Sequence, residues 1–226
     1  MGMDPRSPPT EGWPHLARQL IDVIERSHTR PVIGVGHSLG GYLTFMAAAR
    51  RPDLFRAIIL LDAPIIGAIK GGLLGATKRF GIVDRVTPAG ATRDRRAEWT
   101  SLAEAKRHFG AKKLFRDFSP EALRDYVRYG LADEGQGLRL IIDPSIEYQI
   151  YRTVPHDLHR LLPKLAVPAG FIGGAKSDVV RRVGLSTMRR AGISVRKVPG
   201  GHLFPFEHPR AAADAIQEMT VRLAGC

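Results

Sequence analysis

Cysteine is nearly absent from this chain of 226 residues: the single one, Cys226, is the last residue. The fold can therefore hold no internal disulfide and no cysteine-built metal cluster, and with no secretory signal read at the front the cytoplasm is the expected location. Long hydrophobic runs are absent too. Stretches such as Ala57 to Leu61 fall far short of the run of about 18 apolar residues that a spanning helix needs. Met1 to Pro9 contains Asp4 and Arg6 but no apolar core, so it does not read as a secretory signal. Long runs of one charge are missing as well, although 34 Lys+Arg against 22 Asp+Glu give +12. The pairs Arg50-Arg51, Arg95-Arg96, Arg181-Arg182 and Arg189-Arg190 are scattered. No basic tract interleaved with aromatics is present, so nucleic acid is not an expected partner and the charge reads as a solvated surface.

What remains is the composition of an ordinary globular protein, 44% hydrophobic and 25% charged, large enough to bury a substantial core. Leu16, Leu20, Val23 and Ile24 recur at helical spacing behind Thr10-Glu11 and Pro14, predicting an amphipathic helix from Trp13 to Ser27. Pro31 to Val35 is a short β-branched run that enters Gly34-Val-Gly-His-Ser-Leu-Gly-Gly41, and Tyr42 to Arg50 reads as the helix that follows. Ala57 to Leu61 is apolar at consecutive positions, as parallel strands covered on both faces are.

Three regions follow: a first core part at 1–62, an inserted helical cap at 63–164, and a second core part at 165–226. A connection as long as the middle one cannot be a bare loop, and amphipathic segments are expected near Glu98 to Phe109, Pro120 to Tyr129 and Glu147 to Leu162. Phe109, Phe115, Phe118, Tyr126 and Tyr129 either line the cap or form its core. The strand-and-helix rhythm resumes with Ala169 to Gly173 and Ile193 to Val198, and a last helix runs from Pro209. The fold class is α/β, a mostly parallel sheet flanked by helices.

The chemistry concentrates at Gly36-His37-Ser38-Leu39-Gly40, between a predicted strand and a predicted helix. Such a turn strains its central serine and lifts Oγ clear of the sheet, and Gly36 and Gly40 are expected to let strand and helix approach. The Leu39 N–H would face a developing oxyanion. Serine alone is a poor nucleophile, so a base and an acid must come from elsewhere in the chain. His202, in Gly200-Gly201-His202, follows a predicted strand and is the expected base; Asp178, just past the strand ending near Gly173, is the expected acid. Asp62, directly after the second strand, is the rival acid. His37 reads as a packing or supporting residue, His208 as part of a helix start, and His156 as an exposed histidine at a helix start.

Together the elbow motif, Asp178 and the late Gly-Gly-His202 resemble the α/β-hydrolase superfamily, across most of the chain and in that family's order. The resemblance implies a Ser38, Asp178, His202 triad. It further implies ester or related hydrolysis through an acyl-enzyme, carboxylesterase-like in type, a small ester-like substrate with an apolar acyl part, and no cofactor or metal. It departs from the family at the front, where strands and a second oxyanion donor normally precede the elbow strand and only a leader and one helix stand here. Gly2 to Arg6 looks like the end of the loop that follows such strands. Either the start is internal to a longer reading frame, or the chain is a truncated member with an exposed sheet edge, through which association is then expected.

Two other readings arise from the same residues. A hydrolase-like chain without activity would serve as a binding or scaffold protein. Alternatively, Gly34, Gly36 and Gly40 after a strand, with Asp62 closing the next one, approach a dinucleotide-binding fingerprint. That spacing puts Leu39 where the third glycine belongs, and it leaves Asp178 and His202 unexplained.

Overall fold

The computed structural model describes residues 11–93 and 95–225. The leader Met1 to Pro9, the capping residue Thr10 and Cys226 lie outside them. In chain order the core opens with α1 (Pro14–Ser27), β1 (Val32–His37), α2 (Leu39–Arg50) and β2 (Phe55–Leu61). The intervening region holds α3 (Ala68–Arg79), α4 (Val83–Val86), α5 (Ala89–Thr92), β3 (Glu98–Trp99), α6 (Leu102–Gly110), α7 (Pro120–Tyr129), β4 (Leu131–Asp133), β5 (Leu138–Leu140) and α8 (Pro144–Arg152). The core resumes with β6 (Ala169–Gly174), α9 (Asp178–Val183), α10 (Ser186–Arg190), β7 (Ser194–Val198), α11 (Phe204–Glu207) and α12 (Pro209–Ala224).

The main sheet runs β1-β2-β6-β7, and every pairing in it is parallel. Burial along β2 shows why the apolar run had to be a covered central strand. Ile58 and Leu60 pack with Leu16, Leu20, Phe45 and Met46 of α1 and α2, whereas Ile59 and Leu61 pack with Ala215 and Met219 of α12. The period of two thus divides one strand between two helical layers. Gly170 of β6 exists for the same reason, since a Cβ there would come within 2.7 Å of Met219.

Each parallel strand ends at the same side of the sheet, and the loops leaving β1, β2, β6 and β7 gather there. On the opposite flank β1 is paired only with β2 among the described residues, and Val35 is 43% exposed.

Residues 98–140 build a small antiparallel sheet, β3-β5-β4, whose two- and three-residue strands carry too little pattern to show in the sequence. Trp99, Phe109, Phe115 and Val127 form a separate cluster beneath it, with Tyr126 and Phe118 packed against them. Of the five aromatics singled out above, four therefore join a local core, while Tyr129 is exposed. The helix expected from Glu98 starts only at Leu102, because Ser101 caps it by accepting from Glu104 N–H. That expected from Glu147 to Leu162 is divided: α8 ends at Arg152, and Pro155 separates it from a 3-10 turn at Leu158–Lys164.

Candidate active site

The elbow is built by backbone constraint. Ser38 sits at φ 50° and ψ −116°, a left-handed setting that a serine occupies only under compulsion. Its N–H donates to Leu61 O at 2.9 Å, and its carbonyl accepts from Tyr42 N–H at 3.1 Å, which pins the turn to β2 and to α2. Gly36 is obligatory here, since a Cβ on it would stand 2.3 Å from Gly40 O. The expected need for glycine at position 40 is corrected: a Cβ there would meet nothing within 4 Å. The crowded neighbour is Gly41, whose Cβ would lie 2.6 Å from Ala63 Cβ and 2.8 Å from Gly36 O. Leu39 opens α2, so its N–H belongs to the first turn, whose amides have no partner four residues back.

His202 arrives on the loop after β7. Its Nε2 lies 3.1 Å from Ser38 Oγ, and its Nδ1 lies 2.9 Å from Asp62 Oδ1. A carboxylate only accepts, so Nδ1 carries the hydrogen and Nε2 is left to accept from the serine hydroxyl.

Asp62 leaves the end of β2 at φ 47° and is fully buried. Its Oδ2 accepts from Gly174 N–H at 2.8 Å, and its Oδ1 accepts from the Ser177 hydroxyl at 2.6 Å and from His202. Three donors meet the requirement that a buried carboxylate be paired.

The structure does not bring Asp178 to the histidine. Its side chain is 64% exposed and pairs with Arg181 at 2.6 Å. The reason is local: Ser177 caps α9 by accepting from Val180 N–H, so the helix begins at Asp178 and turns that carboxylate outward into its own first turn. The partner of His202 is the rival, Asp62.

Other histidines take minor or unexpected places. His156 is half-buried against α3, where a Cβ on Gly75 would meet its ring at 2.9 Å; it is not the exposed histidine expected. His208 precedes α12 without a side-chain cap. His37 does more than pack: its Nε2 lies 2.8 Å from the carbonyl oxygen of His202. Burial pushes the His37 ring below the usual histidine range and the Tyr42 hydroxyl above the usual tyrosine range. Tyr42 therefore stays a donor, to Pro64 O at 3.3 Å.

No local pattern marks Ser177 and Gly174 as donors to Asp62, or Glu207, whose Oε2 accepts from Gly201 N–H at 2.6 Å. They act through backbone amides and a helix cap that only the assembled sheet end brings together.

The region between β2 and β6 reaches this end of the sheet through α11. Ser119 N–H donates to Phe206 O at 2.9 Å, and the Phe118 and Phe206 rings stack with centroids 5.0 Å apart. Phe206 in turn meets His37 edge-on at 6.2 Å. No group of three or more His, Cys, Asp or Glu side chains able to hold a metal ion exists among the described residues. None of the helices in them is long and apolar enough to cross a membrane.

Comparison with known proteins bears on the fold and the family. Abhydrolase domain-containing protein AFT2-1 of Alternaria alternata is 26% identical over 231 residues, which covers 84% of this chain and 82% of that protein. An uncharacterized hydrolase of Bacillus subtilis, YugF, is 35% identical over 49 residues, 22% of this chain and 18% of its own. Among solved structures, E-2-(acetamidomethylene)succinate hydrolase superposes with a TM-score of 0.76 at 20% identity, covering all of this chain and 78% of the other. An esterase of M. tuberculosis superposes with a TM-score of 0.65 at 20% identity, covering 90% of this chain and 67% of its own. The model of the alpha/beta hydrolase family matches residues 1–215, and this chain belongs to that family of hydrolases.

Proposed function

We propose that the chain is a serine hydrolase of carboxylesterase type, working through Ser38, His202 and Asp62. The observation that carries this is the unbroken line from Ser38 Oγ to His202 Nε2 at 3.1 Å and from His202 Nδ1 to Asp62 at 2.9 Å. Ser38 Oγ attacks the ester carbonyl while His202 Nε2 takes its proton. Asp62 holds the imidazole in the required tautomer and stabilises the imidazolium. The Leu39 N–H faces the developing oxyanion. His202 then returns the proton to the departing alcohol, leaving an acyl-enzyme that water cleaves by the same steps in reverse.

The substrate class is a small ester with an apolar acyl part, a choice supported by the Phe118–Phe206 stack beside His37. The esterase among the structural neighbours hydrolyses the same class of bond, which adds support. This is cofactor-free chemistry in the cytoplasm. Dinucleotide binding fits poorly, because the carboxylate that would meet the ribose, Asp62, is fully buried and spent on three internal donors. A scaffold without activity is the rival reading. Steady-state hydrolysis of p-nitrophenyl butyrate decides between them. Activity that disappears in Ser38→Ala and His202→Ala is the expected result; a wild type no faster than either variant selects the scaffold.

A further inference from the structure

His37 is the last residue of β1 and the immediate neighbour of Ser38. Its Nε2 stands 2.8 Å from the main-chain carbonyl of His202, and the two rings lie 5.0 Å apart. A carbonyl oxygen can only accept, so Nε2 of His37 carries a hydrogen and donates. The residue before the nucleophile thus holds the backbone of the residue that serves as base.

The base loop needs such a restraint. It opens with Gly200 at φ +103° followed by Gly201, two positions with the widest backbone freedom available. Lys176 N–H donates to Gly200 O at 2.9 Å on the β6 side, and Glu207 accepts from Gly201 N–H on the α11 side. Neither bond reaches His202 itself, and neither connects the loop to the elbow. The His37 bond does both. Phe206 closes edge-on over His37 at 6.2 Å and limits the directions in which that ring can swing.

We propose that His37 is a positioning residue: its Nε2–H ties the His202 carbonyl to the turn that carries Ser38 and so sets the distance between nucleophile and base. The proposal rests on the reading of Ser38 and His202 given above, and a loss of alignment of about 1 Å in such a site costs on the order of 10² in rate.

The test compares His37→Phe, which keeps an aromatic ring and removes the donor, with His37→Gln, whose amide nitrogen lies the same number of bonds from the backbone as Nε2. Two quantities are read in each: amide hydrogen exchange of residues 200–203, and kcat and KM on p-nitrophenyl butyrate. In His37→Phe exchange at Gly201 to Leu203 should accelerate and kcat should fall by roughly tenfold or more, within the 10² bound, with KM nearly unchanged. His37→Gln should restore most of both. If His37→Phe does not fold, His37→Asn, one methylene too short to reach, takes its place against His37→Gln. Exchange that is the same in wild type and in the donor-less variant overturns the proposal, as does a Gln variant no better than Phe. The exchange measurement needs no activity, so it decides this question even where ester hydrolysis fails and the function reading falls.

Discussion

Asp62 and His202 are joined directly, carboxylate oxygen to Nδ1 at 2.9 Å, across the loops that leave β2 and β7. Asp178 is turned away to Arg181. Asp62→Asn should therefore lower kcat by on the order of 10⁴ through the wrong imidazole tautomer, while Asp178→Asn leaves it within about twofold. Ser177→Ala, which removes a hydroxyl 2.6 Å from the buried carboxylate, should fall between the two. Steady-state kinetics on a chromogenic ester check the order, and a larger loss at Asp178 would reverse it.

Gly36 and Gly41, not Gly40, carry the close approach at the elbow. Gly41→Ala forces a Cβ to 2.6 Å from Ala63 Cβ and should destabilise the native fold by about 1–3 kcal/mol. Gly40→Ala replaces a helical glycine where space is open, and is expected to be neutral or to stabilise by about 0.4–1 kcal/mol. Urea unfolding of the two variants distinguishes them.

How much of this was legible beforehand follows from which forces act locally. The strands of the main sheet and the helix Pro120–Tyr129 stand where apolar periodicity and capping residues place them. The acid did not, because both Asp62 and Asp178 follow strands of one sheet. Only the strand order β1-β2-β6-β7, together with the cap Ser177 places on α9, decides which carboxylate turns inward. The His37 bond spans 165 residues of sequence, and no local pattern encodes it.

Acid should loosen the region around α6. Glu104 accepts from Thr100 N–H first and from Arg96 and the Thr100 hydroxyl besides, which holds its carboxyl down to about 2 from 4.5. A depressed carboxyl stabilises the fold above its unfolded value and loses that contribution as pH falls from about 4.5 towards 2. In a Trp13→Phe background, the fluorescence of the buried Trp99 should report unfolding that steepens across this window. Glu104→Gln should flatten that dependence.

Among the described residues no strand pairs with the side of β1 away from β2, and Val35 there is 43% exposed. Self-association through this edge is the expected behaviour, and Val35→Lys, a charge placed on the edge, should shift the chain towards monomer in size-exclusion chromatography with light scattering. The same elution for both would assign the association, or its absence, to another surface.

The proposed activation of Ser38 by His202, oriented by Asp62, is tested by exposing wild type, Ser38→Ala, His202→Ala and Asp62→Asn to a fluorophosphonate and mapping the adduct by peptide mass spectrometry. A single adduct on Ser38 in the wild type, absent from Ser38→Ala and strongly slowed in the other two, is the expected result. Wild-type protein that stays unlabelled, or an adduct that forms equally fast without His202, would contradict it.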